Sequence, residues 1–229
     1  MKIDLHKFFE FYDSKNPKHV AAVEQLEKDL NDSVLTDDTS NWVRIYRTKI
    51  EKPKTEGVLN ISWFPQTDNY RDANRTCNSS ACAMCLEYFK PGTLKGPQGD
   101  DAYVTKVFEI GDTTDHSVQT QVLANYGIQS SFSYNLSFTD LDREIANQRP
   151  VVIGILHRGS LSNPTGGHMC VVIGKTPDGK GYFVNDPYGS LNDNYTGPVE
   201  NGKKTIYTKA VLKHRWCPGG NDGWGRIFN

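Results

Sequence analysis

The sequence predicts an α+β fold in which N-terminal helices are followed by an antiparallel sheet. Up to residue 150, apolar residues recur with the three- and four-residue spacing of amphipathic helices. Beyond that point, short apolar runs are separated by turn residues, and Pro177-Asp178-Gly179 between two of these runs indicates a hairpin. Helices and strands that occupy separate parts of a chain are typical of α+β domains.

The composition restricts the class of protein and its partners. The chain has 229 residues, enough for one sizeable domain with an accessory piece, and 37% of them are hydrophobic. The net charge of -1 gives no electrostatic reason to expect nucleic acid or an anionic membrane as a partner. No apolar run approaches the roughly 20 residues of a membrane span. We therefore expect a globular protein that binds neither nucleic acid nor membrane.

The N-terminus and the cysteines bear on localisation. Met1-Lys2-Ile3-Asp4 lacks the apolar core of a signal peptide, so we expect synthesis in the cytoplasm, where thiols stay reduced. Five cysteines, an odd number, also argue against a closed disulfide framework.

Two short amphipathic helices are predicted before a polar linker at residues 51–57. The first contains Leu5 to Tyr12, and the second begins at Asn16-Pro17, which reads as an N-cap followed by proline at the first helical position. Residues 1–56 are therefore predicted to be a helical adapter segment with its linker, and residues 57–229 the main domain. An adapter of this kind suits docking to a protein partner.

The most informative stretch of the main domain surrounds Cys77. Four apolar residues after it share one face of a predicted helix, and Pro91-Gly92 ends that helix. Those four are Cys82, Cys85, Leu86 and Phe89. Cys77 precedes them among small polar residues that favour a helix start. A thiol at a helix N-terminus is favoured as the thiolate, so Cys77 is a candidate nucleophile.

Three more helices are predicted before residue 150. One contains Tyr103 to Phe108, and a second is capped by Asp115 and closed by Gly127. Thr139 is predicted to cap the third, with Leu141 and Ile145 facing inward and Pro150 ending it.

The strands that follow are short and apolar. We predict strands at Val151 to Leu156, Met169 to Ile173, Tyr182 to Val184 and Thr205 to Thr208, with a loop from Gly159 to Gly167 and a tryptophan-containing tail.

A histidine and an aspartate belong to the predicted hairpin. His168 opens one strand and Asp186 closes the next, and in a hairpin these two positions are neighbours. Asp186 would then accept from one ring nitrogen of His168 while the other faces Cys77. A nucleophile, a base and a group that orients the base are thus all present. Among the other histidines, only His157, at a strand end, is a serious substitute.

The cysteines also permit two metal hypotheses. Cys77-x4-Cys82-x2-Cys85 matches the spacing of plant-type [2Fe–2S] ferredoxins, but cluster ligands there come from loops and these lie on an apolar helical stripe. Zinc bound by Cys82, Cys85, His168 and Cys170 lacks a second closely spaced pair. We therefore expect no cofactor.

Three segments together resemble the bacteriocin-processing (double-glycine leader) peptidase-like family of papain-fold cysteine peptidases, in its stand-alone bacterial or phage members. The segments are Trp63 to Phe89, Gly167 to Val172 and Tyr182 to Gly189. The resemblance implies a papain-like fold, with Cys77 as nucleophile, His168 as base, Asp186 as orienter and Gln66 as an oxyanion donor. Asn78 departs from the family, which more often has glycine after the nucleophile.

The resemblance also implies the substrate. It offers leader peptides with a double-glycine end, or peptides in and around the bacterial cell wall. We expect an endolysin-like, phage-encoded enzyme that cleaves cell-wall peptides, associated with a virion or delivered to the wall by a partner. The alternatives are a leader-processing peptidase, an inactive papain-fold binding module, and transfer to an amine instead of hydrolysis.

Overall fold

The computed structural model describes residues 57–96 and 98–229, together with Asn16, Lys18, His19, Ala21 and Gln25. The chain divides between Lys54 and Thr55 into two units. The first predicted helix, Leu5 to Tyr12, lies outside the described residues. In the second, the four described residues after Asn16 are helical, and the Asn16 side chain accepts a hydrogen bond from the Lys18 backbone N–H at 3.0 Å, as an N-cap does.

Five helices occur in the described part of residues 57–229. The first four are α1 (Cys77–Phe89), α2 (Asp100–Ile110), α3 (His116–Asn125) and α4 (Phe138–Ala146), and the short α5 (Lys209–Arg215) comes late in the chain. None of the described helices has both the length and the apolar character needed to cross a membrane.

The strands form one antiparallel sheet of six and a separate hairpin. The sheet has the order β1-β8-β2-β5-β6-β7, and β3 pairs with β4 outside it. The strand bounds are β1 Ser130–Leu136, β2 Val151–Ile155, β3 Arg158–Ser160, β4 Asn163–Thr165, β5 His168–Lys175, β6 Gly181–Asn185, β7 Thr205–Thr208 and β8 Gly223–Phe228. The predicted α+β class is confirmed.

The core lies between the helices and this sheet. Helix α1 packs against β5 and against α2. Residues 78–86 of α1 are buried throughout, and all of β2 and nearly all of β5 are buried as well. Because β2 and β5 are covered on both faces, their side chains are almost uniformly apolar, which is the continuous apolar pattern seen in the sequence.

Strand β8 is fixed in the sheet by a buried arginine. Arg226 is 0% exposed and donates to the hydroxyls of Thr120 and Ser130 at 2.8 Å each and to the carbonyl of His116 at 2.7 Å. One late strand is thereby tied both to α3 and to β1.

Two local predictions were wrong, and two strands were not predicted. Ser137, and not Thr139, caps α4, through a capping box in which Ser137 and Asp140 bond each other's backbone. The predicted loop 159–167 contains the β3–β4 hairpin. The segments that form β1 and β8 were not predicted as strands.

Candidate active site

Cys77 is the first residue of α1, where the predicted nucleophile was expected. Its backbone N–H therefore has no acceptor within the helix, and Thr76 in front of it makes no side-chain cap. Cys77 is partly exposed, whereas Cys82, Cys85, Cys170 and Cys217 are buried. Of the five thiols, it is the one that a solute can reach.

His168 and Asp186 meet at the same end of the sheet, as the hairpin geometry predicted. His168 is the first residue of β5, Asp186 directly follows β6, and the two strands pair with Val171 opposite Asn185. The Nε2 atom of His168 lies 2.6 Å from Oδ1 of Asp186. His168 is 3% exposed and Asp186 is 0% exposed. A short hydrogen bond in a dry environment fixes the imidazole ring.

The second nitrogen of His168, Nδ1, is left for Cys77, and the pKa of each side chain is shifted by the other. Burial disfavours the thiolate, but the His168 imidazole and the Met169 backbone N–H outweigh it and lower the pKa of Cys77. Burial likewise disfavours the imidazolium, but Asp186 and Cys77 outweigh it and raise the pKa of His168 well above its usual value. Both shifts favour a thiolate–imidazolium pair.

The backbone around Asp186 is held from two directions. Trp63 Nε1 donates to the carbonyl of Asp186 at 2.9 Å, and the N–H of Asp186 donates to the carbonyl of Gly202 at 2.9 Å. The segment before α1 and the loop before β7 therefore both fix the position of this carboxylate.

Gln66, the predicted oxyanion donor, is buried in the segment that leads to α1. It is 1% exposed, and its backbone N–H donates to the carbonyl of Pro187, next to Asp186. Its side-chain Nε2 donates to the carbonyl of Ala73 at 2.7 Å. An amide nitrogen carries two hydrogens, so one donor remains after this bond. The role of Gln66 stays a prediction.

Asn78, which replaces the glycine commoner in the family, needs no unusual backbone. It lies inside α1 and is not among the residues with positive φ. Its amide lies 3.3 Å from Nδ1 of His116, whose ring stacks on Phe132 with the centroids 3.5 Å apart.

His157, the substitute considered from the sequence, has a different environment. Its ring lies 5.3 Å from that of His168, and its Nε2 accepts from the guanidinium of Arg158 at 3.2 Å. Burial, the nearby His168 and Arg158 lower its pKa to about 4. No carboxylate holds it in the described part of the chain, so it remains neutral where His168 is charged.

Three cysteines of the metal hypotheses, Cys77, Cys82 and Cys85, lie in α1, whereas Cys170 lies on β5. Cys82 and Cys85 are inside α1 and 0% exposed. Within residues 57–96 and 98–229, no three His, Cys, Asp or Glu side chains are grouped so that they could hold a metal ion.

With the thiol on the helical side and the imidazole on the sheet side, the molecule has the papain-like arrangement of a cysteine peptidase. Comparison with known proteins gives the family. The model of the Peptidase_C39 like family matches residues 58–216, about 70% of the 229-residue chain. The chain belongs to this family, and the suspected family is confirmed.

Two solved structures are similar to this chain at low sequence identity. A putative C39-like peptidase from Bacillus anthracis is 13% identical, with a TM-score of 0.50 over 75% of this chain and 96% of its own. A double glycine motif protease from an AMS/PCAT transporter, in complex with the leader peptide, is 17% identical, with a TM-score of 0.48 over 76% of this chain and 94% of its own. No curated protein was found to match the sequence.

Cys77 should be the one thiol that iodoacetamide alkylates quickly near neutral pH. Its lowered pKa keeps it a thiolate below the pH at which an ordinary thiol ionises, and the other four are buried. Peptide mass mapping after short exposure identifies the labelled residue, with Cys170 as the internal comparison because burial raises its pKa. Earlier labelling of Cys82 or Cys170 would contradict the assignment.

Proposed function

We propose that the protein hydrolyses peptide bonds through Cys77, His168 and Asp186. The observation that carries the proposal is the buried 2.6 Å contact between His168 and Asp186, beside the partly exposed Cys77, whose pKa the same imidazole lowers. This arrangement generates a nucleophile and a proton donor in one step, which is what cleavage of an amide requires.

The reaction divides into acylation and deacylation. The Cys77 thiolate attacks the carbonyl carbon, and the His168 imidazolium then protonates the leaving amine as the C–N bond breaks. Water, deprotonated by the now neutral His168, attacks the thioester carbonyl, and the C–S bond breaks. The acid leaves, and the Cys77 thiolate and His168 imidazolium are restored. Asp186 keeps Nδ1 of His168 directed at the reacting atoms and transfers no proton.

The negative oxygen of each tetrahedral intermediate needs donors. The backbone N–H of Cys77 is one, because the first residue of a helix has no partner for it within that helix. The second amide hydrogen of Gln66 is the other that we propose, since its first is directed at Ala73.

For the substrate we propose the peptide part of the bacterial cell wall, an endolysin-like role. The chain carries 26 basic and 27 acidic residues, a balance that suits a target with both amino and carboxyl groups. A papain-like cleft requires an extended peptide whose carbonyl reaches Cys77, and wall peptides meet that requirement. A leader peptide with a double-glycine end meets it too and is the rival substrate.

Replacing His168 with Ala should abolish turnover, because the base and the proton donor are lost together. Asp186→Ala should retain more activity, since it loses only the orientation of the imidazole. His214→Ala, at an exposed position on α5, is the matched control and should behave as wild type. The measurement is kcat/KM on a peptide that the wild type cleaves. Full activity of His168→Ala would remove this mechanism and direct attention to His157.

Gln66→Ala should lower kcat by about 100-fold with little change in KM, as expected for the loss of one oxyanion donor. Gln129→Ala, at an exposed position, serves as the control for a glutamine substitution. Unchanged kcat in Gln66→Ala would assign the oxyanion to backbone N–H groups or to another side chain, such as Asn69 or Asn74.

Digestion of purified sacculi should release new amino groups with the wild type and none with Cys77→Ala. A parallel digestion uses a synthetic leader peptide that ends in two glycines. Cleavage of the leader peptide alone would reject the cell-wall substrate and establish its rival, whereas the triad would stand in either case.

A further inference from the structure

The second oxygen of the Asp186 carboxylate is bound by two tyrosines. Tyr207 donates its hydroxyl to Oδ2 at 2.6 Å, and Tyr195 donates to the same oxygen at 3.1 Å. The first oxygen, Oδ1, is shared by His168 Nε2 at 2.6 Å and the backbone N–H of Tyr188 at 2.9 Å. The carboxylate therefore has four donors, two on each oxygen.

The two tyrosines come from different parts of the chain. Tyr207 is on β7 and 0% exposed, and its hydroxyl also accepts from the N–H of Leu191 at 2.9 Å. Tyr195 is half-buried in the loop after β6, and both it and Asn194 have positive φ, 59° and 55°. Residues other than glycine rarely adopt a positive φ, and such backbone strain persists where the surrounding structure requires it.

Both hydroxyls stay protonated, and so remain donors, to a higher pH than an ordinary tyrosine. Burial, and then the adjacent Asp186 carboxylate, raise the pKa of Tyr207 and of Tyr195. A fully buried carboxylate ionises only when hydrogen bonds replace its lost hydration. Here the two phenol hydroxyls supply to Oδ2 the hydrogen bonds that water would otherwise make. Oδ1 is left for the imidazole.

We propose that Tyr207 and Tyr195 are positioning residues of this active site, which hold the Asp186 carboxylate in place and direct its Oδ1 at His168. The inference rests on the proposed function, because it assigns Asp186 the orienting role. The ionisable groups that face Asp186 are His168, Cys77, Cys170, His157 and the two tyrosines. Within the described residues, only the phenols and His168 bind the carboxylate through their side chains.

The test removes one hydroxyl at a time, in Tyr207→Phe and Tyr195→Phe. Loss of a hydrogen bond to a charged group changes an equilibrium constant by roughly 10- to 100-fold. Tyr207→Phe removes the shorter contact, so its kcat/KM should fall by about tenfold or more. Without this donor, the Asp186 carboxylate is held less firmly and supports the imidazolium of His168 less. The acid limb of the pH profile of Cys77 alkylation should therefore move to higher pH, by about one unit for a tenfold effect.

Tyr182→Phe is the matched control. Tyr182 is a buried tyrosine of the same sheet whose hydroxyl donates to an aspartate, Asp142, at 2.7 Å, outside the triad. It loses the same kind of bond, so it should lower thermal stability to a similar degree while the acid limb stays in place. If Tyr207→Phe does not fold, the acid limb is measured on Tyr195→Phe, whose position is only half-buried.

Alkylation of Cys77 needs no substrate, so the inference and the proposed function fail in distinguishable ways. If His168→Ala abolishes turnover but neither tyrosine variant moves the acid limb relative to Tyr182→Phe, the positioning role is overturned and the triad stands. If His168→Ala keeps full activity, the proposed function falls whatever the tyrosine variants do.

Discussion

The site depends on the antiparallel pairing of β5 and β6. This pairing brings the start of one strand beside the end of the next, and so it places His168 within 2.6 Å of Asp186. Packing of α1 against β5 then brings the helix N-terminus, and Cys77 with it, to the same end of the sheet. The chemistry therefore needs no flexible loop to assemble it, because the rigid elements already bring the groups together.

The low dielectric around His168 makes the charge of a histidine there depend strongly on its hydrogen-bond partners. Asp186 and His168 are almost inaccessible to water, so the hydrogen bonds between them and to their neighbours replace the lost hydration. The ring of His157 lies 5.3 Å from that of His168, but its Nε2 accepts from Arg158, whereas Nε2 of His168 is bound to Asp186. The pKa of His157 falls where that of His168 rises. Of these two neighbouring histidines, His157 is thus neutral and His168 charged, and the hydrogen-bond partners of each determine the difference.

Much of this could be predicted from the sequence, where the signal was local. The periodicity of α1, the caps at Asp115 and Gly127, and the hairpin that pairs His168 with Asp186 all depend on residues close together in the chain. Strands β1 and β8 were missed because β1 is largely polar, β8 is interrupted by glycine, and their pairing joins residues nearly a hundred positions apart. Tyr195 and Tyr207 were missed for a different reason: they lie only 9 and 21 positions from Asp186, but no motif connects either to it. At α4, Ser137 and Thr139 both offered a hydroxyl, and the reciprocal bond from Asp140 decided between them.

The position of β8 in the sheet has a consequence for how the chain folds during its synthesis. In the order β1-β8-β2, the strand at residues 223–228 separates two strands that precede it by many residues. A ribosome would finish β1, β2, β5 and β6 before the piece between β1 and β2 existed. Closing so long a loop is entropically costly and slow, so the sheet is completed late in folding. Arg226 arrives with that strand and supplies the bonds to Thr120, Ser130 and His116. The nascent chain would thus carry its reactive thiol on an unfinished scaffold, and a competent hydrolase would appear only after synthesis had passed the last strand.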